Sequence, residues 1–248
     1  LACAQAARQA AEVRLIERLN DGSRRRGAWA VRCFRAMIER TKRLRIPMLD
    51  ELLLRMRGYS PHILQIDKRY PEAAVLVPIT RSDEPEVVLT LRASGLSTHG
   101  GEVAFPGGRR DPEDADLVET ALREAEEEIG LPPGLVEVVG PLSTLVSRHG
   151  IQVTPYVGLV PDFVEYKPND GEIAAVFAVP LAFFRDDPRE ATHRIDYLGR
   201  SWYVPSYRYG EYKIWGLTAI MLVELVNLVF DDVHIDMHQP PEHFIKLT

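Results

Sequence analysis

Apolar and polar positions along this chain follow two periods, and the switches between them outline its elements. From Ala73 the strand signal begins. Residues 73–80 and 86–92 are rich in Val, Leu and Ile, and Ser82-Asp83-Glu84-Pro85 between them has turn composition, which predicts a hairpin. Residues 103–105 predict a short strand ending in a turn at Pro106-Gly107-Gly108, where the backbone can take positive φ or approach a ligand closely. Leu117 to Ile129 is the only strongly helical stretch of the middle region. Asp116 with Glu119 three residues on marks its start, and Gly130 followed by Pro132-Pro133 its stop. Further strands are predicted over 136–146, 153–160 and 173–179, then a hairpin around Leu198-Gly199-Arg200 and a helix from about Gly216 to Phe230. Strands and helices mix without a regular βαβ repeat, which favours an α/β sandwich around a mixed sheet. No internal repeat or low-complexity segment is visible.

The apolar run Ile214 to Phe230 is interrupted by Thr218, Glu224 and Asn227. It falls short of the roughly 20 residues a spanning helix needs and reads as a buried helix, so no membrane is expected. The N-terminal stretch lacks the apolar segment of a secretory signal.

At 248 residues and 46% apolar content the chain is long enough for one sizeable domain, or a domain with an arm. Charge separates the two. Residues 1–47 carry twelve Lys and Arg against four acids, a balance of +8, which leaves −14 for residues 48–248 of a chain whose formal charge is −6. The arm admits several readings: a nucleic-acid or acidic-surface contact, an Arg-rich transit peptide, a solvated helical extension, or translated sequence upstream of a start at Met48. Arg24-Arg25-Arg26 lacks the aromatic interleaving of nucleic-acid grooves, which disfavours nucleic acid. The only cysteines, Cys3 and Cys33, lie in the arm, so neither a disulfide framework nor a Cys-rich metal site is available, and a reducing cytoplasmic setting is favoured.

The candidate chemistry lies on the middle helix, in Arg123-Glu124-Ala125-Glu126-Glu127-Glu128-Ile129-Gly130. Glu124, Glu127 and Glu128 stand at i, i+3 and i+4 and share one face, where like charges destabilise an isolated helix by roughly 0.2–0.5 kcal/mol per pair. Either solvent offsets that, as on an ordinary wet face, or a bound cation does. A hard ion such as Mg²⁺ takes few oxygen ligands from protein and the rest from water and phosphate, which a carboxylate trio beside a phosphate-binding turn would supply. Arg123 could pair with Glu127 or reach back toward the turn, its planar fork suited to fixing a carboxylate.

Gly108 followed by Arg123-Glu124-Ala125-Glu126-Glu127-Glu128-Ile129-Gly130-Leu131 resembles the Nudix box, Gly-x5-Glu-x7-Arg-Glu-U-x-Glu-Glu-x-Gly-U with U apolar. The C-terminal half matches with Ala125 as U. The N-terminal half departs: strict counting puts Arg109 at the first Gly and Ala115 at the first Glu, and a one-residue insertion restores Gly108 but leaves Asp114 or Glu113 in place of the Glu. Upstream, Leu89-Thr90-Leu91-Arg92-Ala93, Gly101 and Phe105-Pro106-Gly107-Gly108 resemble the additional signature of the coenzyme A pyrophosphatase branch, with Val88 where its first Leu belongs and Ser97 where its second Arg belongs. Asp170-Gly171-Glu172-Ile173-Ala174-Ala175-Val176-Phe177 leading to Val179-Pro180-Leu181, and Ile214-Trp215-Gly216-Leu217-Thr218-Ala219, also look like this branch. The resemblance spans roughly residues 49–230.

The resemblance implies a Nudix-type α/β/α sandwich around a mixed β-sheet. It implies Mg²⁺ or Mn²⁺ held by Glu124, Glu127 and Glu128, neutralising diphosphate oxygens and making hydroxide available near neutral pH. For coenzyme A the products would be 3′,5′-ADP and 4′-phosphopantetheine. Arg123 and Glu127 belong to the expected catalytic set, Glu172 is the candidate general base or extra ligand, and Arg92, Gly107 and Gly108 are the candidates for substrate phosphate. His99 and His149 receive no role, and Tyr156 reads as core. No Walker-type phosphate loop, nucleophile elbow or zinc spacing is present. The expected partner is a small-molecule nucleotide conjugate, with a homodimer left open. The competing readings are a Nudix hydrolase of ADP-ribose, a dinucleotide or a nucleoside triphosphate, favoured by Ser97, and a non-catalytic nucleotide- or RNA-binding Nudix protein.

Overall fold

The first predicted strand is apolar on both faces, the pattern of a strand covered on both sides, and in a computed structural model of the protein it is central. The structure describes residues 48–62, 70–95, 100–197 and 200–241. The arm with its cysteines, Ser97, His99 and Leu198-Gly199 lie outside the described residues.

Strand β1 (Glu72–Arg81) sends Ala73, Val77 and Ile79 into one core layer and Ala74 and Leu76 into the other, the period-two alternation of a pleated strand. It runs parallel to β7 (Gln152–Pro161), from Glu72 opposite Gln152 to Arg81 opposite Pro161. β2 (Glu86–Arg92) returns antiparallel, as the hairpin prediction requires, with Val87 opposite Ile79. The two strands then part, and the segment that follows fills the opening. β3 (Val103–Ala104) pairs with β2, β4 (Gly107–Arg109) pairs with β1, and the Pro106 carbonyl between them accepts the Leu76 N–H at 2.9 Å. Gly107 and Gly108, expected in a turn, are therefore strand residues. The physical reason is that the parted edges expose ladder groups that must be paired, and Pro106, which has no N–H to place, stands where the segment changes partner.

β8 (Ile173–Pro180) covers the outer edge of β2. β5 (Glu137–Pro141) and β6 (Leu145–Val146) both pair with β7, so the strand expected over 136–146 is broken in two. The break is made by partners remote in sequence: Leu142 N–H turns to the Pro155 carbonyl, Ser143 N–H to Glu224 and Thr144 N–H to the His62 carbonyl. A separate three-stranded sheet, β9 (Arg189–Tyr197), β10 (Arg200–Tyr209) and β11 (Tyr212–Ile214), extends the hairpin that the sequence predicts. It joins the main sheet through Tyr212, whose ring stacks on Phe177 with centroids 3.7 Å apart.

Helix α1 (Met48–Gly58), which the sequence reading does not place, and α3 (Gly216–Val229) bury Leu52, Met56, Leu222 and Val226 against one face of the sheet. α2 (Leu117–Ile129) buries Ala121, Ala125 and Ile129 against the other. The result is the expected α/β/α sandwich around a mixed sheet. The polar interruptions of α3 each have a partner: Thr218 donates to the Val103 carbonyl at 3.0 Å, Glu224 accepts from Tyr59 Oη at 2.5 Å and Ser143 N–H at 2.6 Å, and Asn227 exchanges two bonds with Ile235. Buried polar groups so satisfied are compatible with a helix inside the core. Among the described residues no helix is long and apolar enough to cross a membrane.

Candidate active site

Local signals fix α2 at both ends. Asp116 has extended backbone, and its carboxylate accepts the N–H groups of Val118 and Glu119, each at 2.9 Å; the Glu119 carboxylate turns back to the Ala115 N–H at 2.7 Å. Gly130 closes the helix with φ of 65°, its N–H on the Glu126 carbonyl. The loop after β7 then supplies donors to the last carbonyls, Lys167 N–H to Ile129 and Asn169 N–H to Glu128. Those bonds satisfy helix-end groups that would otherwise be orphaned, and they bring the Glu172 loop to the end of the carboxylate helix.

Arg123 makes both contacts its position allowed. Its Nε and Nη2 grip Asp114 at 3.0 and 3.1 Å, Nη1 lies 3.0 Å from Glu124 and 3.1 Å from Glu127, and Nη2 also donates to the Arg109 carbonyl at 3.1 Å. Asp114 is buried, whereas Glu113 is exposed. Asp114 also accepts from Thr120 Oγ1 and Asp111 N–H, so it is the residue in the place of the departed Glu of the box. The Arg123 guanidinium holds the Asp114 carboxyl well below the usual carboxylate range despite burial, and Asp114 holds Arg123 above its own. This fork positions the helix against the loop that precedes it.

Glu128 is 3% exposed. Its Oε1 accepts Arg92 Nη1 at 2.9 Å and its Oε2 accepts the Gly107 N–H at 3.0 Å, so three candidates named from sequence meet at one carboxylate. Burial pushes Glu128 up to about 7, with repulsion from Glu124 adding to it, while the Gly107 N–H and Arg92 oppose the rise. Glu124 is raised by burial and by its neighbours Glu127 and Asp111, against the pull of Arg123. Gly108 lies directly under Glu124: a Cβ there would overlap the Glu124 carboxylate. Glu127 is the outermost of the trio, its side chain 59% exposed.

Among the described residues no three acidic, His or Cys side chains converge on one point as they stand. The donor set nonetheless fits a hard divalent cation: oxygen ligands only, with buried Glu128 and half-buried Glu124 repelling each other, and Glu124 seated in a cradle that a methyl group would fill. Glu172 is exposed in the turn before β8. Its carbonyl accepts the Ala93 N–H at 2.8 Å, which sets it beside Arg92 in the backbone but joins its carboxylate to no other member of the group. His149 lies in the exposed turn between β6 and β7, and Tyr156 packs with the α2 layer, as the core reading requires. The sequence reading missed the Arg92–Glu128 contact and offered Asp114 only as one of two stand-ins; the fork of Arg123 nine residues on was the signal for Asp114.

The family model for the NUDIX domain matches residues 70–195. This chain belongs to the Nudix family. It is a hydrolase acting on diphosphate linkages, and members of the family generally use divalent metal ions. The chain is similar to the uncharacterized Nudix hydrolase NudL of Yersinia enterocolitica, 41% identical over 189 residues covering 73% of this chain and 93% of the relative. The NudL of Shigella sonnei is also 41% identical over 189 residues, covering 72% and 93%. Among solved structures, the MutT/nudix family protein of Enterococcus faecalis aligns with a TM-score of 0.44 at 15% identity, over 73% of this chain and 69% of that one.

Proposed function

We propose that this Nudix hydrolase cleaves the diphosphate of coenzyme A or its derivatives, giving 3′,5′-ADP and 4′-phosphopantetheine. The observation that carries the reading is the meeting of Arg92, Gly107 and Glu128. These are the signature arginine, the Phe-Pro-Gly-Gly segment and the last glutamate of the box, far apart in sequence and joined at one carboxylate. In this reading Glu124 and Glu128, with Glu127 at the rim, hold Mg²⁺ or Mn²⁺. Such an ion, when bound, neutralises diphosphate oxygens and favours deprotonation of the attacking water.

The chain's own residues supply the rest. Arg92 offers a planar fork to a phosphate oxygen pair. The absence of side chains at Gly107 and Gly108 lets the segment lie against Ala74 and Val75 and under Glu124, which seats the carboxylates where the diphosphate is read to bind. Arg123 keeps Glu124 and Glu127 facing the site. Water attacks one phosphorus in line with the bridging oxygen, a new P–O bond forms as the bridging one breaks, and the displaced phosphate carries the electron pair away. The water's proton passes to Glu172, which is preferred to Glu127 because Arg123 already occupies a Glu127 oxygen. Catalysis of this kind is mostly positioning and charge stabilisation.

The test is incubation of the purified chain with coenzyme A and Mg²⁺, chromatographic resolution of products, and Glu128→Gln alongside. The expected result is 3′,5′-ADP and 4′-phosphopantetheine, lost in the variant and on chelation of the metal. Ser97 in place of the second signature arginine favours a second reading, in which ADP-ribose, a dinucleotide or a nucleoside triphosphate is the substrate. Variant-sensitive hydrolysis of one of these, with coenzyme A untouched, would establish it. Silence on the whole panel would move the protein to a nucleotide-binding role without turnover.

A further inference from the structure

Glu128 has one carboxylate and more than one claimant for it. One oxygen is held by the Gly107 N–H, which belongs to a strand paired with β1 and cannot withdraw without unpairing that strand. The other is held by Arg92 through Nη1 alone. We propose that Arg92 couples cation binding to diphosphate binding: its guanidinium and a divalent cation compete for Glu128, and an arriving diphosphate draws Arg92 away. This rests on the reading of Glu128 as a cation ligand.

The physical argument is about charge in a dry place. A carboxylate has lone pairs enough for two partners, but a guanidinium and a dication on one buried carboxylate are like charges a few ångströms apart, where the low dielectric strengthens their repulsion. Arg92 is the partner able to yield. Its backbone is anchored on both sides, by its N–H to the Glu102 carbonyl at 3.0 Å and by the Gly101 N–H to its own carbonyl at 3.1 Å, while its side chain keeps 23% exposure at the end of β2. A single bond to Glu128 leaves most of its five donors unused there. A diphosphate accepts two in parallel, and its negative charge then stands between the cation and the arginine. The exchange makes cation and nucleotide each raise the affinity of the other by the same factor, since coupling of this kind is reciprocal.

The decisive experiment titrates Mn²⁺ into the full chain and reads free Mn²⁺ by electron paramagnetic resonance. Wild type is compared with Arg92→Met and Arg92→Gln, two long neutral replacements, and with Arg92→Lys, which keeps the charge. Each protein is first checked for folding by circular dichroism. Without nucleotide, the neutral variants are expected to bind Mn²⁺ about fivefold or more tighter than wild type, with Arg92→Lys near wild type. With adenosine 5′-(α,β-methylene)diphosphate present, wild-type Mn²⁺ affinity should rise by a factor on the order of 5–150, the usual span of such couplings, and the rise should largely vanish in the neutral variants. Neutral variants that bind Mn²⁺ no better than wild type, or worse, would overturn the inference and make Arg92 a fixed support for Glu128. If Glu128→Gln binds Mn²⁺ as wild type does, the cation reading itself falls, and this inference with it.

Discussion

At the scale of single residues, Asp114 and the paired glycines carry the sharpest consequences. Asp114 takes two bonds from Arg123, one from Thr120 and one from the Asp111 N–H in a buried position. Asp114→Asn should therefore cost about 2 kcal/mol at neutral pH, the scale of hydrogen bonds to charged groups. Because the folded-state pKa is depressed, that contribution is whole above the ordinary value of 3.8 and drains away as pH falls through it toward the lowered one. Thermal melts of the two proteins should accordingly differ most near neutrality and converge in acid. A gap that stays constant down to about pH 2 would mean the pair is not acting through charge. The glycines should separate stability from activity. At Gly108 the atoms nearest an added methyl group all belong to the movable end of Glu124, so Gly108→Ala should change stability by less than about 1 kcal/mol while displacing a candidate ligand and cutting hydrolysis at least tenfold. At Gly107, φ is +156° and a Cβ would strike the backbone of Ala74 and Val75, so Gly107→Ala should cost about 2–4 kcal/mol. Melting curves read beside rates for both variants check the contrast, and equal destabilisation would remove it.

At the scale of elements, legibility followed how local the determining contacts are. Helix α2 was readable to the residue because Asp116, Glu119 and Gly130 act on backbone within one turn of themselves. β1, β2, β7 and β8 were readable from their apolar runs. The interruption at 142–144 was not, since its backbone donors go to groups remote in sequence, Glu224 on α3 among them. That contact makes its own prediction. Glu224→Ala would leave the Ser143 N–H without its acceptor and the Tyr59 hydroxyl with only the longer contact to Ser143 Oγ at 3.3 Å, and should cost about 1–3 kcal/mol. Tyr59→Phe removes one of the two bonds to Glu224 and the longer Ser143 Oγ contact but keeps the Ser143 N–H bond, and should cost less. Urea unfolding of both variants decides the order, and a larger loss for Tyr59→Phe would show that packing of the ring outweighs the hydrogen bonds. α1 escaped prediction because its hydrophobic stripe is narrow, with Leu52 and Met56 alone fully committed to the core.

At the scale of the whole molecule, the family match begins at residue 70, and the described core is built from Met48 onward. A chain begun at Met48 is therefore expected to melt and to hydrolyse substrate as the full chain does; loss of either would give residues 1–47 an essential role. The sequence by itself determined the family, the class of reaction, the carboxylate face of α2 and most of the strands, because these depend on periodicity and on motif spacing within short windows. Only the tertiary structure decided that β1 and β2 part to admit the glycine segment as a strand. It also decided that Asp114 rather than Glu113 receives Arg123, and that Arg92 reaches Glu128 across 36 positions. Those outcomes turn on which unpaired backbone edge and which buried charge find each other in space, and no local pattern of residues encodes that choice.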